Sequence, residues 1–306
     1  MTDKAVSLPA GIQVFERGWL SSNNILLQDA DAAVLVDTGY LTHVGQTLAL
    51  VDGALGQRGL DLIVNTHLHS DHCGGNAALR ERYACPTWVP EADFAAVSVW
   101  DEDRLSYRAT GQQCAPFVAD DSLRHGQQIR AGGLDWQVIH APGHDPHSMI
   151  LYSEREALLI SADALWENGF GIIFPELEGG PGFAQQAAIL DTIAELDVRL
   201  VIPGHGAPFQ DAAAAIQRAR SRLAYLAEDP VRNAKNALKV LLAFLLLERR
   251  SLHLDEAEIM LNESRFMQLA AQQIGGAPQE VLQQLAQDLV KAGAATLEQR
   301  RLFNAR

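Results

Sequence analysis

The chain has 306 residues, enough for two domains or one large domain with an appendage. Hydrophobic side chains make up 48% and charged ones 20%, which permits a sizeable core and excludes wholesale disorder. The net charge of −14 is unevenly spread: residues 1–210 carry 11 basic and 27 acidic side chains, residues 211–306 carry 13 and 11, so neither part has the basic excess that contact along a phosphate backbone needs.

Short β-type runs open the chain at Ile12–Phe15, Asn24–Leu27 and Ala33–Val36, separated by turn residues such as Asp29-Ala-Asp31. Helical apolar spacing over Thr42–Leu55 leads into a buried strand, Asp61–Asn65. The alternation continues with a helix near Gly75–Arg82, a strand at Thr87–Val89 and a helix from Glu91. Strands follow at Leu134–His140, Met149–Tyr152 and Ala157–Ile160, then a helix Phe183–Glu195 and a strand Arg199–Ile202. Such alternation predicts a layered α/β domain with helices covering sheet faces. Val99–Phe117 and Gly169–Gly182 lack clean periodicity, and the first reads as a lid or insertion over a pocket. Beyond Asp211 the strand signals fade into helical runs at Ala212–Ala227, Asn233–Arg249, Asp255–Leu261 and Pro278–Ala292, closed by one small hairpin within Ala295–Phe303. A boundary near Gly206–Gln210 therefore divides a catalytic region, 1–210, from a mainly helical extension, 211–306.

The stretch Met1–Pro9 lacks the charged-then-apolar order of a secretory signal. The longest apolar run, Ala237–Leu247, is interrupted by Lys239 and is too short for the roughly 30 Å of a bilayer interior, so it reads as a buried helix and no membrane is expected. Three cysteines, Cys73, Cys85 and Cys114, form an odd and sparse set that fits a reducing cytoplasm better than a disulfide framework. Cys73, next to His72, reads as packing.

The chemistry concentrates in Thr66-His67-Leu68-His69-Ser70-Asp71-His72, directly after the strand Asp61–Asn65 and before Gly74-Gly75. That places it at a strand's carboxyl end, where α/β folds bind ligands. Four metal-competent side chains in six positions are costly to bury unpaired, whereas coordination satisfies their lone pairs. Three later strands repeat the design. His144 follows Leu134–His140, Asp163 follows Ala157–Ile160, and His205 follows Arg199–Ile202, each behind a glycine or another small residue. His140 reads as structural and His147 as a support for the neighbouring ligand loop.

His67-x-His69-x-Asp71-His72, followed in order by His144, Asp163 and His205, resembles the metallo-β-lactamase-fold hydrolases over about residues 10–210. The resemblance implies a four-layer αββα sandwich with a two-metal site in the cleft between its sheets. It assigns His67, His69 and His144 to one divalent metal, Asp71, His72 and His205 to the other, and Asp163 to a bridge between them. Imidazole and carboxylate donors suit Zn2+, and Mn2+ or Fe2+ is compatible with the same set. Two such ions about 3.5–4 Å apart supply a hydroxide nucleophile near neutral pH, which Asp71 would orient and whose proton it would help to move.

The implied activity is hydrolysis of an ester, thioester or lactone of a small, partly apolar molecule. Glyoxalase II-type thioesterases and lactonases share this metal set. In N-acyl homoserine lactone lactonases a Tyr stands three positions after the bridging Asp, whereas here that place holds Trp166, whose indole cannot replace a phenol. Tyr107, Trp166 and Phe170 are the expected pocket side chains. The extension more faintly resembles the helical or winged-helix tail of the β-lactamase-like-protein-2 subgroup, and is expected to form a pocket wall or a homodimer surface. Three other readings use the same motif: a phosphodiesterase, a metal-retaining ligand-binding or regulatory protein, and a mononuclear-iron persulfide dioxygenase. The −16 of residues 1–210 argues against the first and against nucleic acid as a partner.

Overall fold

The computed structural model describes residues 6–305. Residues 1–5 and Arg306, and with them half of the stretch read for a targeting signal, lie outside the described residues. Two sheets face each other. The first runs in chain order through β1 (Ile12–Phe15), β2 (Asn24–Gln28), β3 (Ala33–Val36), β4 (Leu62–Val64), β5 (Thr87–Pro90) and β6 (Asp121–Leu123). Its first three strands are antiparallel and the rest join in parallel. Those parallel connections carry α1 (Val44–Leu55), α2 (Ser70–Cys73), α3 (Asn76–Tyr83), α4 (Glu91–Val99) and α5 (Tyr107–Thr110).

The second sheet has the order β11-β10-β9-β8-β7, formed by β7 (Gln128–Ala131), β8 (Leu134–His140), β9 (Met149–Ser153), β10 (Leu158–Ala162) and β11 (Leu200–Pro203). Only β10 and β11 are parallel, and α6 (Gly182–Glu195) makes the crossover that such a pair requires. β8 alternates buried and exposed side chains, as a strand covered on one face should, whereas β9 and β10 are buried throughout. Ile25, Val36, Trp136, Leu151 and Ile160 belong to the core between the sheets. Leu26, Leu35 and Ile63 point the other way, onto α1 and α3. Ile150, Leu159 and Val201 likewise face α6 and α7 (Ala212–Glu228). The expected αββα order of layers is thus present, and α7 belongs to the outer layer of the second sheet.

The rest of the extension comprises α8 (Pro230–Arg249), β12 (Ser251–His253), α9 (Leu254–Glu263), α10 (Arg265–Ile274), α11 (Pro278–Lys291), β13 (Ala295–Glu298) and β14 (Arg301–Asn304). The last two strands form the expected hairpin, and β12 adds to it as a third strand. α10 and the short β6, β7 and β12 stand where no element is expected from the sequence. β6 and β12 have three residues each and β7 reads Gln-Ile-Arg-Ala, too short and too polar to show a period.

α8 starts with Pro230 in its first turn, and the Asp229 side chain accepts from the Val231 amide, a standard helix start. Its Ala237, Leu238, Leu241, Leu242 and Leu245 are buried in one cluster with Ile172, Phe174 and Leu177, which lie between β10 and α6. Phe174 also stacks on Phe266 of α10 at 4.9 Å, and Tyr40 meets Phe244 edge-on at 5.0 Å. No helix among the described residues is long and apolar enough to cross a membrane.

Each large side chain in that cluster contributes about 1.5–3 kcal/mol by burial, so its loss cannot be absorbed locally. Cutting the chain after Gln210 is therefore expected to give aggregated protein, read by size-exclusion chromatography and light scattering. A soluble, monomeric and fully active 1–210 fragment would contradict this packing.

Candidate metal centre

The site lies where strands of both sheets end. β3 runs into Asp37, β4 is followed closely by His67, β10 by Asp163 and β11 by His205, while His144 lies four residues past β8. The single turn of α2 presents Asp71 and His72, and His69 is the residue that precedes it. All seven residues expected as ligands converge. One donor atom each from His67, His69 and His144 lies within 4.8 Å of the others, and the same holds for His67, His72 and Asp163, and for Asp71, His72 and His205. Asp163 sits between the two ends. Its carboxylate is 3.4 Å from His144 Nε2, 3.5 Å from His72 Nε2 and 3.9 Å from His205 Nε2.

The ring nitrogens of the cluster crowd one another, and a single Nδ1–H on His69 would have to serve two neighbours. His69 Nδ1 is 2.8 Å from His144 Nε2 and 3.1 Å from His67 Nε2. His144 Nδ1 is directed at the Ile172 carbonyl and His72 Nδ1 at Asp37, 2.8 Å away, which turns the Nε2 of both rings inward. His72 Nε2 and His205 Nδ1 are shielded from solvent and have no hydrogen-bond partner among the described residues. A buried orphan nitrogen facing carboxylates, beside closely crowded ring nitrogens, is what a divalent cation would relieve. The donor set therefore fits metal.

Electrostatics agree. Burial, reinforced by neighbouring imidazoles, lowers His67 well below its usual value; burial likewise lowers His69 and His144 to about 4, so all three are neutral donors at physiological pH. Burial also opposes the charged form of His72, yet Asp163, Asp37 and Asp71 together hold it well above its ordinary value. Asp163 is held well below the usual carboxylate range by His72 and His205 despite its burial.

The backbone is shaped to this crowding. A Cβ on Gly204 would fall on Asp163 Oδ1, and one on Gly171 would fall on the His144 ring. Glycine is required at both because main chain passes directly against a donor.

Three supporting residues were not singled out from the sequence. Asp37 accepts from the Thr66 amide at 2.9 Å and the Thr66 hydroxyl at 2.7 Å besides holding His72, and it does so at φ 57°, a left-handed conformation that Asp tolerates. Its signal was available: an acidic residue directly after an apolar strand, the same pattern as Asp163. Asn23 donates its amide to the carbonyls of Pro203 and Gly206, bracing the His205 loop. Trp19 stacks on the His205 ring at 5.4 Å while remaining 52% exposed. Neither has a sequence signal, since both act from a loop distant in the chain.

Trp166 stands over the site, and its indole N–H donates to Asp163 Oδ1 at 3.1 Å. Phe170 is fully buried beneath it and reaches an adjoining cavity. Tyr107 requires correction. Its phenol is 3.1 Å from Cys73 Sγ, and its ring is buried with Trp100, Phe117 and Cys114 away from the metal cavity. Of the segment from 99 to 117, Thr110 and Gln112 line the metal cavity. His147 bonds to the buried Asp93 at 2.7 Å instead of supporting a ligand, and exposed His140 is directed at the Pro146 carbonyl.

The family model of the Metallo-beta-lactamase superfamily matches residues 17–205, and the chain belongs to that superfamily. Among curated relatives, a hydroxyacylglutathione hydrolase from Idiomarina loihiensis is 28% identical over 170 residues, 56% of this chain and 54% of that one. The chain spans between 54% and 66% of the length of the first curated relatives it matches. A metallo-beta-lactamase family protein of Thermus thermophilus shares the fold over 97% of this chain and all of its own, with TM-score 0.60 and 23% identity. A further structure, solved in a di-iron-bound form, is 26% identical with TM-score 0.54, covering 68% of this chain and 98% of that one.

Because Asp37 orients His72 and anchors Thr66, Asp37→Ala is expected to weaken metal affinity about 10- to 100-fold, measured by competition with a chromogenic chelator. An unchanged affinity in a folded variant would remove Asp37 from the site's support.

Proposed function

We propose that the protein is a hydrolase that uses two divalent ions, Zn2+ foremost, to cleave an ester, thioester or lactone bond in a small, partly apolar molecule. The observation that carries this reading is the lining of the metal cavity. Trp19, Trp166, Ile172, Phe174, Val240 and Phe244 surround the donors, and no Lys or Arg is among the lining residues. A phosphodiester would bring a charge that nothing in that wall meets, whereas a neutral acyl carbonyl suits it.

When bound, the ions supply Lewis acidity and a water made acidic enough to ionise near neutral pH. The chain does the rest. Asp71 combines proximity to His205 Nε2, 3.0 Å, with partial exposure to the cavity, so its carboxylate can hold the nucleophilic water and take up its proton. Trp166 fixes the orientation of Asp163 through its indole N–H. Phe174 and the α8 side chains exclude bulk water from the side facing the extension.

The di-iron relative keeps iron open as the metal, and the same donors are compatible with it. Elemental analysis of the purified protein is expected to find close to two ions per chain, and a panel of thioesters, esters, lactones, β-lactams and phosphodiesters is expected to show turnover of the acyl compounds that improves with acyl length. Asp71→Ala should lower kcat by about 100-fold or more while one site stays partly occupied. Phe170→Ala should weaken turnover of long acyl groups selectively, whereas Trp166→Ala, which also frees the Asp163 carboxylate, should lower turnover of every substrate. A single iron per chain with full activity, or phosphodiesters cleaved faster than every ester, would overturn the proposal.

A further inference from the structure

Next to the metal cavity lies a second cavity of about 350 Å³ between the catalytic region and α8. The two share Trp19, Trp166, Ile172, Val240 and Phe244 as a common wall. Beyond that wall the second cavity is lined by Phe170, Ala243, Leu246, Leu247 and Leu289, a surface suited to an apolar chain. Besides Ala294, its other lining residues are the polar Asn236 and Asn304 and one cation, Arg222 of α7.

Arg222 is unlike its neighbours. Arg220 pairs with Asp191 and Arg232 with Glu228 and Asp229, while Arg218 donates to the Glu167 carbonyl. Arg222 has no carboxylate within ion-pair distance among the described residues. It lies over the Phe170 ring, 5.5 Å from the centroid, and reaches Asn236 Oδ1 at 3.3 Å. Its Nε is shielded from solvent and has no partner. Burial lowers its pKa, as expected of a guanidinium with no counter-charge to offset desolvation. An uncompensated cation in an apolar wall is costly unless something anionic meets it.

We infer that this cavity is the acyl subsite and that Arg222 selects substrates whose apolar acyl chain ends, away from the scissile bond, in a carboxylate. The inference rests on the hydrolytic reading above and narrows it to anion-tipped acyl compounds. The guanidinium binds the distal carboxylate by charge-assisted hydrogen bonds, and the chain between them fills the Phe170 and Leu246 surface.

Two thioester series test this on the metal-loaded full chain: phenyl thioesters of alkanedioic acids, with a free carboxylate at the far end, and of alkanoic acids of equal length, with a methyl end. The wild type is expected to prefer the carboxylate-tipped series. Arg222→Met, which keeps the side chain's bulk, should raise KM for that series about 10- to 100-fold, the range of a charge-assisted hydrogen bond. The methyl-tipped series should bind equally well or better, since no cation remains to be desolvated. Arg222→Lys should fall between. Calorimetric binding of the free alkanedioic acids, compared with alkanoic acids, reads the same preference without turnover. Absent hydrolysis with retained, Arg222-dependent diacid binding would therefore overturn the hydrolytic reading and leave the subsite standing. Equal binding of both series by the wild type, or an equal loss of both in Arg222→Met, would show Arg222 to be packing only and overturn the inference.

Discussion

The placement of seven imidazole and carboxylate donors inside one buried volume governs much of what surrounds it. His67, His69 and His144 are held neutral by burial and imidazole crowding, while His72 is held toward its charged form by three carboxylates. Three of the rings are held from outside the cluster: Asp37 behind His72, the Ile172 carbonyl behind His144, and Thr66 beside His67. Glycine at 171 and 204 follows from the same crowding, because no side chain fits between the main chain and the donors.

The extension shapes the site as well as shielding it. α8 contributes Val240, Leu241 and Phe244 to the metal cavity, and the same helix buries Ala237, Leu238 and Leu245 against the catalytic region. Phe244 is held by Tyr40, whose hydroxyl donates to Glu248 at 2.9 Å, so one face of α8 is tied to the loop that leads from β3 toward α1. One helix therefore both packs the extension onto the sandwich and walls the metal cavity. The donors lie on the sandwich, and much of what a substrate would touch beyond them lies on the extension.

On the opposite side the metal site borders a larger and more polar cavity, lined by Asp93, Arg104, Asp145 and His147 together with the donors His69 and His144. The donors thus stand between an apolar recess and a polar one.

From the sequence alone most strands and helices and every candidate ligand were legible, whereas the four-layer order followed only from the resemblance of the motif to the metallo-β-lactamase-fold hydrolases. The elements and ligands could be read because each ligand directly or closely follows an apolar strand and both periodicity and spacing are local properties. Asp37 was equally visible in that pattern, although only its hydrogen bonds to Thr66 and His72 reveal its role. Tyr107 shows the opposite case. An aromatic residue in an irregular segment carries no local sign of which way it faces, and packing against Cys73 and Cys114 turned it from the cavity. Trp19, Asn23, Arg222 and α8 meet the site across long stretches of chain, so their parts were decided only by tertiary structure. A strand-end motif is written in consecutive residues, whereas a pocket wall is assembled from segments whose proximity no local pattern encodes.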